Sequence, residues 1–155
     1  MKNSIVKALA LTILFFINPA NSEGKVAFYY PTGELEQVKE FVNDKVLKVT
    51  YYYKTSEVKE VNEFLDNQPL KAIVYHKSGK VKLVQEYTDG KISKTIHHHK
   101  TGKVKIVQFF NDQISKITYY QKTGKVSQIR EYVDGIKTKI INFDDNGEVK
   151  KTKEF

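Results

Sequence analysis

With 155 residues and no cysteine, the chain excludes a disulfide framework and a lipid-modified N-terminal cysteine, even where the compartment is oxidising. Its formal charge of +8 favours anionic partners such as phosphate, acidic glycan, lipid head groups or nucleic acid, and would equally keep an elongated sheet in solution. It carries no glycine-flanked serine and no phosphate loop, so the sequence predicts a protein that is not an enzyme and has no cofactor.

In chain order, the first segment is 1–22. Lys2 and Lys7 precede a ten-residue apolar run, Ala8 to Ile17, which Asn18 and Pro19 end. A membrane-crossing helix needs about 20 apolar residues, so this run is too short for one. With Ala20 and Ser22 at the small positions before a cut, 1–22 reads as a helical signal peptide and 23–155 as the mature domain. Cleavage would remove two lysines and no acid, leaving 24 basic against 18 acidic residues, a charge of +6 with no transmembrane segment. The expected location is secreted or periplasmic.

From there on the sequence repeats. Turn residues recur at Gly33, Ser56, Gly79, Gly102, Gly124 and Gly147, a period of 23 residues with one step of 22. Aromatic residues keep the same step at Phe41, Phe64, Tyr87, Phe110, Tyr132 and Phe155, as do Lys48, Lys71, Lys94, Lys116 and Lys139. Self-similarity of this length marks a stack of supersecondary units rather than one globular core. Alternation and β-branched content within each unit argue for strands, since no apolar pattern recurs at helical spacing. The predicted fold is all-β: an elongated, single-layer antiparallel meander of tandem 23-residue hairpins, about five and a half repeats and roughly 55 Å long at ordinary strand spacing.

Two turn chemistries set an expected register. Asp89–Gly90 and Asp134–Gly135 suit the two-residue turn with positive φ at both central positions, while Lys100–Gly102 suits a three-residue loop closed by a left-handed glycine. Regular pairing from these turns sets Tyr87 opposite Ile92, Gln85 opposite Lys94 and His98 opposite Val104. In that frame a polar row containing the five lysines runs between two aromatic or valine margins, and a glutamate row of Glu40, Glu63, Glu86, Glu131 and Glu154 lies on the reverse face.

The run from Tyr87 to Lys91, with Lys100 to Lys103 at the other turn, resembles bacterial MORN-variant repeats, and the likeness extends over 29–155. The resemblance implies tandem β-hairpins in one elongated sheet and a role as a protein or membrane interaction module; some bacterial members carry an antitoxin label.

The candidate binding residues are Lys48, Lys71, Lys94, Lys116 and Lys139, with Tyr52, Tyr75 and Tyr120 beside them. Cations at every second strand could track a chain of negative charge, and aromatic faces could stack sugars or bases. The same lysine stems would also cover an apolar face and discourage aggregation. His76, His97, His98 and His99 put at most two ligands near one another, against the four of a closed zinc site, so no metal is assigned. The expected role is an interaction or scaffold surface for another protein. A binder of anionic glycan, polymer or lipid head groups and an inhibitor or immunity-type protein acting through a terminal strand are the alternatives, and nucleic acid is disfavoured.

Overall fold

The computed structural model describes residues 13–18 and 23–155, with side chains over 23–155. The strands are β1 (Ile13–Asn18), β2 (Glu23–Tyr29), β3 (Leu35–Val42), β4 (Lys45–Tyr52), β5 (Val58–Leu65), β6 (Gln68–Tyr75), β7 (Val81–Thr88), β8 (Lys91–His98), β9 (Val104–Asn111), β10 (Gln113–Tyr120), β11 (Val126–Val133), β12 (Ile136–Phe143) and β13 (Val149–Glu154). They pair in sequence order in one antiparallel sheet, and each strand contacts only its neighbours in the chain. The all-β meander of tandem hairpins expected from the repeat is the architecture observed.

The expected leader helix falls mostly outside the described residues. Ile13–Asn18, inside that segment, runs as a strand against β2 rather than as a helix. Cleavage before Glu23 would remove β1 and leave β2 as an edge strand.

The turns alternate between two long edges of the ribbon. One edge carries two-residue turns whose central residues both have positive φ, as at Asp66 (50°) and Asn67 (62°) or Asp89 (51°) and Gly90 (74°). This is the turn whose twist matches the flanking strands. The short repeat closes more tightly, through Asp112 alone (φ 55°), with Asn111 opposite Gln113. The other edge carries turns closed by two backbone bonds, for example His76 N–H to Lys80 O (2.8 Å) and Gly79 N–H to His76 O (2.9 Å).

Register departs from the regular pairing expected above. Tyr87 does face Ile92 and His98 does face Val104, but Lys94 pairs with Glu86 rather than Gln85. A β-bulge follows every turn of this edge, the tighter one at Asp112 included, and places one extra residue on the returning strand: Leu47, Leu70, Ser93, Ser115 and Thr138. Where that residue has a hydroxyl, it donates back across the hairpin, as Ser93 Oγ does to Glu86 O (3.2 Å) and Thr138 Oγ1 to Glu131 O (3.3 Å). A second bulge follows each turn at the other edge, at Glu36, Lys59, Lys82, Lys105, Ser127 and Lys150. Side chains alternate along a strand, so one extra residue moves all that follow it to the opposite face.

The faces are therefore different from those expected. One face joins the lysine and glutamate rows, beside an aliphatic and threonine stripe of Val38, Thr50, Val61, Ile73, Val84, Ile96, Val107, Thr118 and Ile129. The other carries Lys39, Val49, Asn62, Ala72, Gln85, Thr95, Gln108, Ile117 and Arg130, and the aromatic column that includes Tyr87. Tyr87 and Lys94 thus lie on opposite faces. The buried residues, Val49, Thr50, Ala72, Thr95, Val107, Ile117 and Thr118, sit mid-strand on both faces, and none is a large side chain shut wholly away from solvent. With no second layer, cohesion comes from cross-strand pairs worth about 0.2–1 kcal/mol each and from neighbouring hairpins.

Candidate interaction surfaces

The five candidate lysines form one row, and glutamates alternate with them. Crossing the sheet, the row reads Lys25, Glu40, Lys48, Glu63, Lys71, Glu86, Lys94, Phe109, Lys116, Glu131, Lys139 and Glu154. Ion pairs join Lys25 to Glu40 (3.0 Å), Lys48 to Glu40 (2.7 Å), Lys94 to Glu86 (3.4 Å) and Lys139 to Glu154 (3.4 Å). Burial pushes the Glu40 carboxyl up, but hydrogen bonds and charge from Lys48 and Lys25 overcome it and leave the group below its usual range. The hydrogen bond to Glu40 in turn raises the Lys48 ammonium above its ordinary value. This row is a zipper of opposite charges, not a bare cationic track.

Phe109 is the one interruption. It stands where the alternation calls for an acid, and the Lys94 ammonium lies 5.8 Å from its ring centre. Tyr52, Tyr75 and Tyr120 share the face with the lysines, four residues further along the same strands, with the aliphatic stripe between.

His98 fills the same column as those tyrosines, opposite Val104. Burial, with the neighbouring His97 charge second, lowers its pKa below the ordinary 6.5. The folded state therefore prefers neutral His98, and this preference costs nothing where the imidazole is already neutral in the unfolded chain. Stability is expected to fall as pH drops from about 6.5 through the folded-state value. His98→Tyr, which installs the residue found at the equivalent positions, is expected to flatten that slope; urea midpoints at pH 7.5 and pH 5 read the difference.

At the turn entries, Tyr30 and Tyr53 donate their hydroxyls to the carbonyls of Tyr52 (3.0 Å) and Tyr75 (2.9 Å) one unit on. His76 and His99 occupy that column in the next two units, and their buried Nε2 atoms have no protein partner. His97 Nε2 lies 3.3 Å from Gln108 Oε1 on the other face. Among the described residues no three His, Cys, Asp or Glu side chains converge as a metal would require.

The two long edges differ more than the faces do. Along the edge of two-residue turns, Leu47, Leu65, Leu70, Ile92, Val133 and Ile136 are all exposed, Ile136 by 71% and Leu65 by 63%. They alternate with Asp44, Asp66, Asp89, Asp112 and Asp134. Shallow depressions lie between successive turns there: about 250 Å³ beside Leu47 and Leu65, about 510 Å³ beside Leu65, Leu70 and Gly90, and about 380 Å³ beside Val133 and Asp134. Lys45 reaches Asp66 (2.6 Å) and Lys91 reaches Asp112 (2.5 Å), tying the first of these turns to the second and the third to the fourth. Leu65 directly precedes Asp66–Asn67 and Leu70 follows three residues after it, so their place near this edge is legible from the turn, whereas their exposure is not.

No protein-family model matches the chain, and no curated protein does. Among solved structures, it resembles part of accessory secretory protein 1, 2 and 3 of Streptococcus pneumoniae, with 13% identity and a TM-score of 0.45 over 60% of this chain and 18% of that one. It also resembles part of a GtfA/B complex bound to UDP and GlcNAc, with 14% identity and a TM-score of 0.23 over 97% of this chain and 25% of that one. The chain thus spans a quarter or less of either relative, and neither likeness bears on its role. The geometry itself defines the class: a tandem β-hairpin repeat protein with an open single-layer sheet.

Proposed function

We propose that the protein is an exported, non-enzymatic repeat module that presents an interaction or scaffold surface to another protein. The observation that carries this reading is the aliphatic edge. Six of the nine exposed large hydrophobic side chains among the described residues lie beside the two-residue turns. Contiguous exposed apolar groups rimmed by polar ones are what protein partners cover. Export rests on the apolar run after Lys2 and Lys7, and the resemblance to MORN-variant repeats is in keeping with an interaction role.

The lysine row lends less support to an anionic ligand, because glutamates alternate with its members and pair with Lys25, Lys48, Lys94 and Lys139. Strand addition at β13 is also disfavoured: this strand is exposed throughout and carries Lys150, Lys151 and Lys153, the pattern by which edge strands resist pairing. The expected result concerns Leu65→Ser combined with Leu70→Ser and Ile136→Ser. This variant should keep its circular dichroism while losing at least tenfold in affinity for a protein partner isolated with the wild-type chain from the extracellular fraction. A lysine-row variant, Lys71→Gln with Lys94→Gln and Lys116→Gln, should retain that partner; the reverse ranking would remove the aliphatic edge from consideration.

A further inference from the structure

The opposite long edge carries a run of lysines that form no ion pair among the described residues. The turns joining β6 to β7, β8 to β9 and β10 to β11 contain Lys77, Lys80, Lys100, Lys103, Lys122 and Lys125, Lys82 and Lys105 follow at the second residue of β7 and β9, and no acid lies within 76–83, 99–106 or 121–128. All eight are exposed, and none is in an ion pair with another described residue. The row lysines, in contrast, are half-buried among glutamates. The ends of the edge reverse sign, with Glu34 and Glu36 in the first turn and Asp144, Asp145 and Glu148 in the last. Lys103 Nζ donates to Thr123 O (3.4 Å) and Lys125 Nζ to Asp145 O (2.6 Å), so these stems lie along the edge from one turn to the next.

We infer that this edge is a binding site for a linear acidic polysaccharide, laid across the three lysine turns. Each turn is two strands from the next, a step of about 10 Å. A polysaccharide with one carboxylate per disaccharide repeats its charge at a comparable step, so successive carboxylates meet successive turns. Nucleic acid fits less well, because single-strand binders add exposed aromatic platforms to their cations. The rings bordering the three turns, Tyr75, His76, His98, His99 and Tyr120, are half-buried rather than exposed. A planar anionic lipid surface would also press on the acidic turns at both ends, whereas a flexible chain can cross the middle and leave.

Since the site lies on the edge opposite the aliphatic one, its test is independent of the protein-partner reading. Binding of the full chain to hyaluronan oligosaccharides is measured at several salt concentrations, with neutral dextran, oligothymidylate and phosphatidylglycerol vesicles as comparisons. The expected result is salt-sensitive hyaluronan binding that drops at least tenfold in Lys77→Gln combined with Lys100→Gln and Lys122→Gln, and changes less than twofold in the variant of Lys71, Lys94 and Lys116. Equal binding by the turn variant, a greater loss in the row variant, no binding to hyaluronan, or tighter binding to oligothymidylate or vesicles would each overturn the assignment. Circular dichroism of both variants separates lost binding from lost fold.

Discussion

Excising residues 76–98 is expected to leave a folded, shorter ribbon, whereas excising 76–99 is expected to destroy cooperative folding around the junction. The first cut joins Tyr75 to His99 and restores an intact turn, with His99 N–H to Lys103 O and Gly102 N–H to His99 O, both 2.8 Å in the parent. Tyr75 then faces Val104 as His98 does now, and Lys71 faces Phe109 as Lys94 does now. Every stripe continues across the seam. Removing one residue more deletes His99, which makes both turn bonds. The turn can then close only by recruiting Tyr75, which slides β6 one residue along β9 and turns Lys71 and Ile73 to the wrong face. A one-residue slip inverts a whole strand, and the cost should be at least about 3 kcal/mol. Urea denaturation with hydrogen exchange across β5, β6, β9 and β10 measures both cuts, and matching midpoints would mean that the pairing frame does not hold the ribbon together.

The one-residue sensitivity explains what could be read from the sequence and what could not. Repeat length, strand positions and the pairs next to each turn follow from Gly, Asp and aromatic residues recurring in step, and the structure keeps Tyr87 opposite Ile92 and His98 opposite Val104. The mid-strand pairs do not follow, because a bulge residue has no signature of its own. Leu47, Leu70 and Ser93 look like ordinary strand positions, yet each puts one extra residue into its hairpin. The charges held the missing information. Lysines and glutamates recur with the same period, and a regular hairpin places them on opposite faces, where they cannot meet. A bulge brings them together at ion-pair distance, which favours the irregular register. The candidate lysines were thus legible as a row but not as half of a zipper. The cations outside the zipper, at Lys77, Lys100 and Lys122, lie in the turns, where repetition alone marks them only as loop residues.

The same substitution made two residues apart on β9 should have opposite consequences. Val107 is 8% exposed and lies between Ile96 and Thr118, whereas Phe109 is 39% exposed and lies between Lys94 and Lys116. Val107→Glu places a carboxylate in the aliphatic stripe, where no cation is in register with it, and should cost about 3 kcal/mol through desolvation and lost packing. Because each strand touches only its neighbours, the damage should stay near β9 and uncouple β2–β8 from β10–β13, so that one unfolding transition becomes two. Phe109→Glu instead supplies the acid missing from the zipper. It forfeits a cation–π contact of about 0.5–1 kcal/mol and gains pairs with Lys94 and Lys116 of about 0.2–1 kcal/mol each, for a net change within about 1 kcal/mol. Raising salt should then weaken the Phe109→Glu protein more than its parent, because only the variant depends on the added ion pairs. If both substitutions cost the same, the division of this face into a charged row and an aliphatic stripe would have no energetic meaning.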